Sequence, residues 1–181
     1  STGCDSEQTT AGVTGNSTAF GTYVADTYRM SDKTFVTLAG RFNQTTVANT
    51  LSSYTSGSLT RTATESFTYR KFNPSLGMTH QFEQLTLFGN WAQSNRAPTV
   101  LELGCADKDN PCTLPTGLQA DPYLSQVVSQ TTEAGMRWKN ESGYNLSLSA
   151  YRTINKDDII FVAVNATEGY FDNFAKTQYL G

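Results

Sequence analysis

The stretch Thr132-Glu133-Ala134-Gly135-Met136-Arg137-Trp138-Lys139-Asn140-Glu141-Ser142-Gly143-Tyr144-Asn145-Leu146-Ser147-Leu148-Ser149-Ala150 decides how the chain folds. Thr132, Ala134, Met136 and Trp138 fall on one side of an extended backbone, and Glu133, Gly135, Arg137 and Lys139 on the other. Past Asn140-Glu141-Ser142-Gly143 the alternation resumes, with Tyr144, Leu146, Leu148 and Ala150 opposing Asn145, Ser147, Ser149 and Tyr151. A period of two is that of a β-strand, because successive side chains leave opposite faces of the pleat. Two such runs joined by a glycine-containing turn form an antiparallel hairpin with one apolar and one polar face.

Working outward, the same reading predicts a hairpin over residues 18–43, turning at Ser31-Asp32-Lys33, with Val36, Leu38, Gly40 and Phe42 opposite Thr37, Ala39, Arg41 and Asn43. A further hairpin over residues 66–94 turns at Phe82-Glu83-Gln84, and Pro74 within its first strand marks a bend or a position outside the ladder. The remaining connections, 44–64, 95–127 and 155–174, read as long loops; the second carries Pro98, Pro111, Pro115 and Pro122. Short and long connections therefore alternate. A meander with that rhythm gathers its long loops at one end, as in an up-and-down transmembrane barrel; a sandwich has no reason to keep it.

Composition agrees. Aromatic residues make up 12% and charged residues 16% of 181, so polarity comes mostly from Thr, Ser, Asn and Gln, which suits strands better than helices. The net charge of −3 and the lack of a basic cluster argue against a nucleic-acid partner. No run approaches the roughly 18–20 apolar residues of a membrane helix, but barrel strands need only about 9–11 alternating residues. Cys105 and Cys112 bracket a short loop that can close on itself, so a local disulfide in an oxidising compartment is the expected reading, with two free thiols as the alternative. Cys4 has no partner left within the chain.

Catalytic chemistry finds little support. His80 is the only histidine, and neither a Ser-His-Asp nor a Cys-His arrangement assembles around it. Asp107 with Asp109, and Asp157-Asp158 with Asp172, lack the spacing of a calcium loop and read as solvated charge. No cofactor or metal is called for, and no enzyme is expected. Tyr28, Phe35, Phe42, Phe82, Trp91, Trp138 and Tyr144 lie near turns or loops, where aromatic rings form the girdles of a membrane barrel.

Ordered motifs over residues 65–181 resemble the barrel of TonB-dependent outer-membrane receptors. Lys71-Phe72-Asn73-Pro74-Ser75-Leu76-Gly77-Met78 is similar to that family's Pro-x-Leu-Gly strand, and Asn95-Arg96-Ala97-Pro98-Thr99 to its Phe-Arg-Ala-Pro-Ser/Thr signature, with Asn95 departing from the pattern. Asp121-Pro122-Tyr123-Leu124 followed by Glu133-Ala134-Gly135-Met136-Arg137 resembles the Asn-Pro-x-Leu and Glu-x-Gly-x-Lys/Arg block. Tyr151-Arg152-Thr153, Asp157-Asp158-Ile159-Ile160 and Phe171-Asp172-Asn173-Phe174 complete the order.

The resemblance implies an all-β fold, seven or eight strands of a larger antiparallel barrel in the bacterial outer membrane, with the N-terminal plug domain absent from residues 1–181. It also implies a receptor that takes up a scarce nutrient, such as siderophore-iron or a similar chelate, with TonB-supplied energy transmitted through that plug. Partners on this reading are outer-membrane lipid, the TonB complex and a small-molecule or metal-chelate ligand. Tyr54, Arg96, Tyr123, Tyr170 and Phe171, on the long loops, are the candidates for ligand contact; Arg41, Glu133 and Arg137, on polar strand faces, are expected to line the lumen and face the plug. Two other readings stay open: a small self-contained outer-membrane barrel with a structural or adhesive role, and a secreted soluble β-sandwich that binds carbohydrate.

Overall fold

A computed structural model describes residues 9–55, 58–104, 112–113, 124–164 and 168–181. Its strands are β1 (Thr9–Ser31), β2 (Thr34–Thr55), β3 (Ser58–Gln81), β4 (Leu85–Arg96), the two-residue β5 (Cys112–Thr113), β6 (Val127–Lys139), β7 (Asn145–Ala163) and β8 (Glu168–Leu180). One short helix, α1 (Val100–Gly104), follows β4. All the strands belong to one antiparallel sheet in the order β1-β2-β3-β4-β6-β7-β8-β5. Among the described residues there is no second sheet to make a sandwich, and β1 does not pair with β8 to close a small barrel.

The expected turns at residues 31–33, 82–84 and 140–143 are all present and lie at one end of the sheet. The other end differs from the sequence reading. Residues 44–64 are not a long loop: β2 and β3 stay paired to Thr55↔Ser58, with one register shift between Ser53 and Tyr54, a hairpin of more than twenty residues per arm. Residues 155–174 are likewise mostly paired, with β7 and β8 in register to Ala163↔Gly169. Among the described residues at that end, the connection from β4 to β6 is the one that leaves the ladder, with α1 along it and β5, which pairs with the top of β8.

The register sorts the side chains into two continuous faces. Asp26, Leu38, Leu76, Trp91, Thr132 and Arg152 lie level across the strands on one face, together with Val24, Tyr28, Val36, Met78, Leu87, Met136 and Leu148. Apart from Asp26 and Arg152 this level and those beside it are mainly apolar, and the face is uncovered: Val24 is 70% exposed, Phe72 59% and Leu148 62%. From Met30 to Phe20 it runs ten residues, roughly 33 Å along the strand, or about 25 Å in height at the ~40° tilt of barrel strands, which matches the apolar band of an outer-membrane barrel. Tyr28, Phe82, Trp138 and Tyr144 sit at the turn end of the band, and Phe20, Phe42, Phe72 and Trp91 stand higher on it. Phe35 does not join them, because its partners Arg29 and Thr79 place it on the opposite face.

That opposite face carries Tyr23, Arg41, Asn43, Asn73, Ser75, Glu133, Arg137 and Thr153. Threonine hydroxyls bond across it, Thr27 to Thr37 and Thr131 to Thr153, both at 2.9 Å. It is the concave face, because α1 lies against it and touches β1, β2 and β8, elements from both ends of the sheet order. The small core sits there too: Val47, Leu103 and Leu124 are buried together, flanked by Phe67, Tyr69, Val100, Ile159 and Phe171. Gly15 lets this happen, since a Cβ at that position would collide with both Val100 methyls and with the Ala48 carbonyl.

Candidate functional site

Three local constructions shape the concave face and the end with the long hairpins. The first is the corner after β4. Thr99 caps α1: its Oγ1 accepts from the Glu102 N–H at 3.2 Å, while Glu102 Oε2 accepts from the Thr99 N–H at 2.7 Å. This is the reciprocal capping box of a Thr-x-x-Glu sequence, a signal present just after Arg-Ala-Pro that Pro98 overshadowed. Arg96 reaches across the corner to the same carboxylate at 2.8 Å. Burial pushes the Glu102 carboxyl up, but the bonds from Arg96 and Thr99 outweigh it and hold the group below the usual carboxylate range.

The second is a seam in the wall. β3 and β4 pair only from Ser75↔Ala92 to Gln81↔Thr86, and above that level they part. Pro74 stands where the ladder ends, on the side of β3 that faces β4, and has no N–H to give. Amide side chains fill the wedge. Gln93 Nε2 donates to the Phe72 carbonyl at 3.0 Å and Gln126 Nε2 to the Arg70 carbonyl at 2.9 Å, satisfying backbone oxygens that a continued ladder would have used. Asn95 is the hub: its Oδ1 accepts from Asn73 Nδ2 at 2.6 Å and from Asn43 Nδ2 at 3.0 Å, and its Nδ2 donates to Gln126 Oε1 at 2.9 Å.

The third is the Glu133-x-Gly135-x-Arg137 segment of β6. Glu133 accepts from Asn90 Nδ2 at 3.1 Å, and the Arg137 guanidinium stacks on the Phe88 ring with its carbon 4.6 Å from the centroid. Gly135 makes room for that ring: a Cβ there would lie 2.6 Å from both Phe88 Cζ and the Leu148 carbonyl.

The residues singled out from sequence are distributed as follows. Arg41, Glu133 and Arg137 share the concave face. Arg96 is engaged with Glu102 at the corner, half exposed. Phe171 packs into the inner cluster, edge-on to Phe161 at 5.2 Å, so it supports the wall rather than standing free at the rim. Its neighbour Tyr170 alternates to the other face of β8 and is partly buried. Tyr54 belongs to β2, but its side chain, like Tyr123 and Cys105 entirely and the Cys112 side chain, lies outside the described residues, and so does the expected Cys105–Cys112 bond. The sequence reading missed the Asn43–Asn73–Asn95–Gln126 cluster; the signal available was an excess of amides on both sides of Pro74 and Pro98.

The profile of the family described as TonB dependent receptor-like, beta-barrel, matches residues 2–181. No curated protein matches the chain. Among solved structures it is similar to the siderophore receptor PirA from Pseudomonas aeruginosa, with 12% identity and a TM-score of 0.53, over 93% of this chain and 39% of that one. The chain thus spans well under half the length of that receptor. With the profile covering nearly every residue, the chain belongs to the TonB-dependent receptor-like β-barrel family.

Proposed function

We propose that the chain is the barrel portion of a bacterial outer-membrane receptor that captures a scarce nutrient, siderophore-iron or a similar chelate, at its extracellular end and imports it with TonB-supplied energy. The observation that carries this reading is the two-faced sheet: an apolar convex band about as tall as a membrane's hydrocarbon layer backs onto a concave face that is polar and charged. Such a sheet sits in lipid and encloses a wet lumen. The plug domain that would couple the lumen to TonB belongs, on this reading, to a part of the receptor outside these 181 residues.

The extracellular end is the one with the long β2–β3 and β7–β8 hairpins and the α1 excursion, and ligand contacts belong to its tips. Tyr54, Tyr123 and Tyr170 remain the candidates there, with Arg96 a contact only if it leaves Glu102, and Phe171 a supporting residue. The fold shared with a siderophore receptor makes ferric siderophores the first ligands to try. The test is uptake of radioactive iron by iron-starved cells that express the complete receptor as their single siderophore receptor. Import is expected with at least one siderophore and is expected to stop when TonB is deleted; import that persists without TonB overturns the reading.

A further inference from the structure

Asn49 of β2 is the most deeply covered polar side chain among the described residues. It is 2% exposed, and neither its Oδ1 nor its Nδ2 has a hydrogen-bond partner. α1 lies across it: Val100 sits over Gly15, the β1 residue paired with Asn49, and Leu103 packs with Val47, two residues along β2. On the other side Glu65 of β3 is its cross-strand neighbour, and the two side chains do not bond. A buried amide with both ends unmatched is costly, and native structures rarely keep one without a use. The cost here falls on the docking of α1, because lifting that helix returns the amide to water and breaks no rung of the ladder.

Little stands against that cost. Leu103 is buried with Val47 and Leu124, and the Arg96–Glu102 ion pair at 2.8 Å, half exposed at the arginine, ties α1 back to β4. A helix of five residues does not hold itself in water. The chain just before it is fixed, Asn95 by three amide bonds and Pro98 by burial, so movement begins at Thr99. We infer that α1 is a releasable strap: in the assembled receptor it leaves the inner wall and redocks, and its release uncovers Asn49 and frees Arg96 together. Elements that move are drawn from the locally weak parts of a fold, and a ligand that bonds either freed group favours the released state. The strap rests on the fold of the inner wall and not on which nutrient is imported or on TonB, so a failed uptake assay and a failed strap test are separate results.

Val47, 1% exposed and packed with Leu103, serves as the reporter. In the complete receptor, Val47→Cys is labelled with a small methanethiosulfonate reagent, the rate is read over that of the receptor without the added cysteine, and heat-modifiable migration on gels certifies the assembled barrel. The folded receptor is expected to label much faster than it unfolds. Asn49→Val, similar in size and without polar atoms, is expected to slow labelling roughly tenfold or more, equivalent to about 1.4 kcal/mol, because the docked state no longer holds orphaned groups. Asn49→Asp is expected to quicken it by a similar factor, since a charge is costlier to bury, and carries the comparison should the Asn49→Val receptor not assemble. A thiol that labels only as the barrel unfolds, a rate that Asn49→Val fails to slow, or one that Asn49→Asp fails to quicken overturns the proposal.

Discussion

Replacing Leu76 by arginine tests the membrane reading of the convex face directly. Leu76 is 47% exposed, lies on the apolar face between Leu38 and Trp91, and sits four residues above His80 near the turn end. Four residues are about 13 Å of strand, or roughly 10 Å of height at a 40° tilt, close to the middle of a band about 25 Å tall. An arginine at that depth on a lipid-facing position costs about 2–4 kcal/mol. That is a folding constant lowered roughly 30- to 700-fold, at tenfold per 1.4 kcal/mol. The comparison is Ala25→Arg, which puts the same side chain on the polar concave face at a similar level, opposite Ala39. Guanidinium unfolding of the complete receptor in phospholipid vesicles, followed by tryptophan fluorescence, reads both. If the sheet faced water on both sides, each change would fall near the ±0.5 kcal/mol of an ordinary surface substitution. Two variants of equal stability would therefore refute the assignment of faces.

Further outcomes follow from the inner face. Gly135→Ala is expected to cost about 1–3 kcal/mol, because the new methyl meets the Leu148 carbonyl and the Phe88 ring together, and the Arg137 stack on that ring should loosen with it; thermal unfolding measures the first. Leu103→Ala is expected to cost about 2–5 kcal/mol of the α1 docking energy, since Leu103 is 3% exposed against Val47 and Leu124; protease cleavage within residues 96–104 should accelerate while the strands stay protected. Glu102 gives the corner a pH dependence. Its carboxyl titrates below the ordinary value in the folded state, so its contribution is complete above the unfolded glutamate pKa of about 4.3 and is lost as pH falls through the lowered folded value. The protection of the amides at residues 99–103, taken relative to their intrinsic exchange rate at each pH, should fall on acidification in the native chain and be flat with pH in Glu102→Gln.

The hairpins near the turns were legible because one face there is apolar and the other polar, which forces a period of two into the sequence. The strand extensions over residues 44–64 were not, and the reason is physical. Val47, Asn49 and Phe67 alternate with Thr46, Ala48 and Thr68, so the outer face carries small and hydroxylated side chains where the apolar band has ended. Thr46 to Thr68 and Thr50 to Thr64 are joined by hydroxyl bonds at 3.1 Å on that face, a polar ladder that reads in sequence as a Ser/Thr-rich loop. In β7 the period is broken at Asp157, a non-glycine residue at φ 53°, whose carbonyl accepts from Asn173 Nδ2 at 2.8 Å. The candidate mouth residues were harder still. A loop aromatic looks the same in sequence whether it meets ligand or wall, and Phe171 packs, partly buried, against the inner cluster.

The residues that made the family readable are the ones with structural tasks. Pro74 ends the β3–β4 ladder, Asn95 gathers the amides that close the resulting wedge, and Pro98 is buried in the corner. Thr99 caps α1, Arg96 ties it back, and Gly135 seats the Phe88 ring under Arg137. Each of these jobs arises wherever a barrel wall must part, admit an inward-folding segment and close again, whatever solute passes. Residues bound to such tasks are not free to recognise a ligand. Ligand recognition must therefore be sought in the hairpin tips and in inner-face groups with unused bonding capacity, among which Asn49 and Asn73 stand out in the described residues.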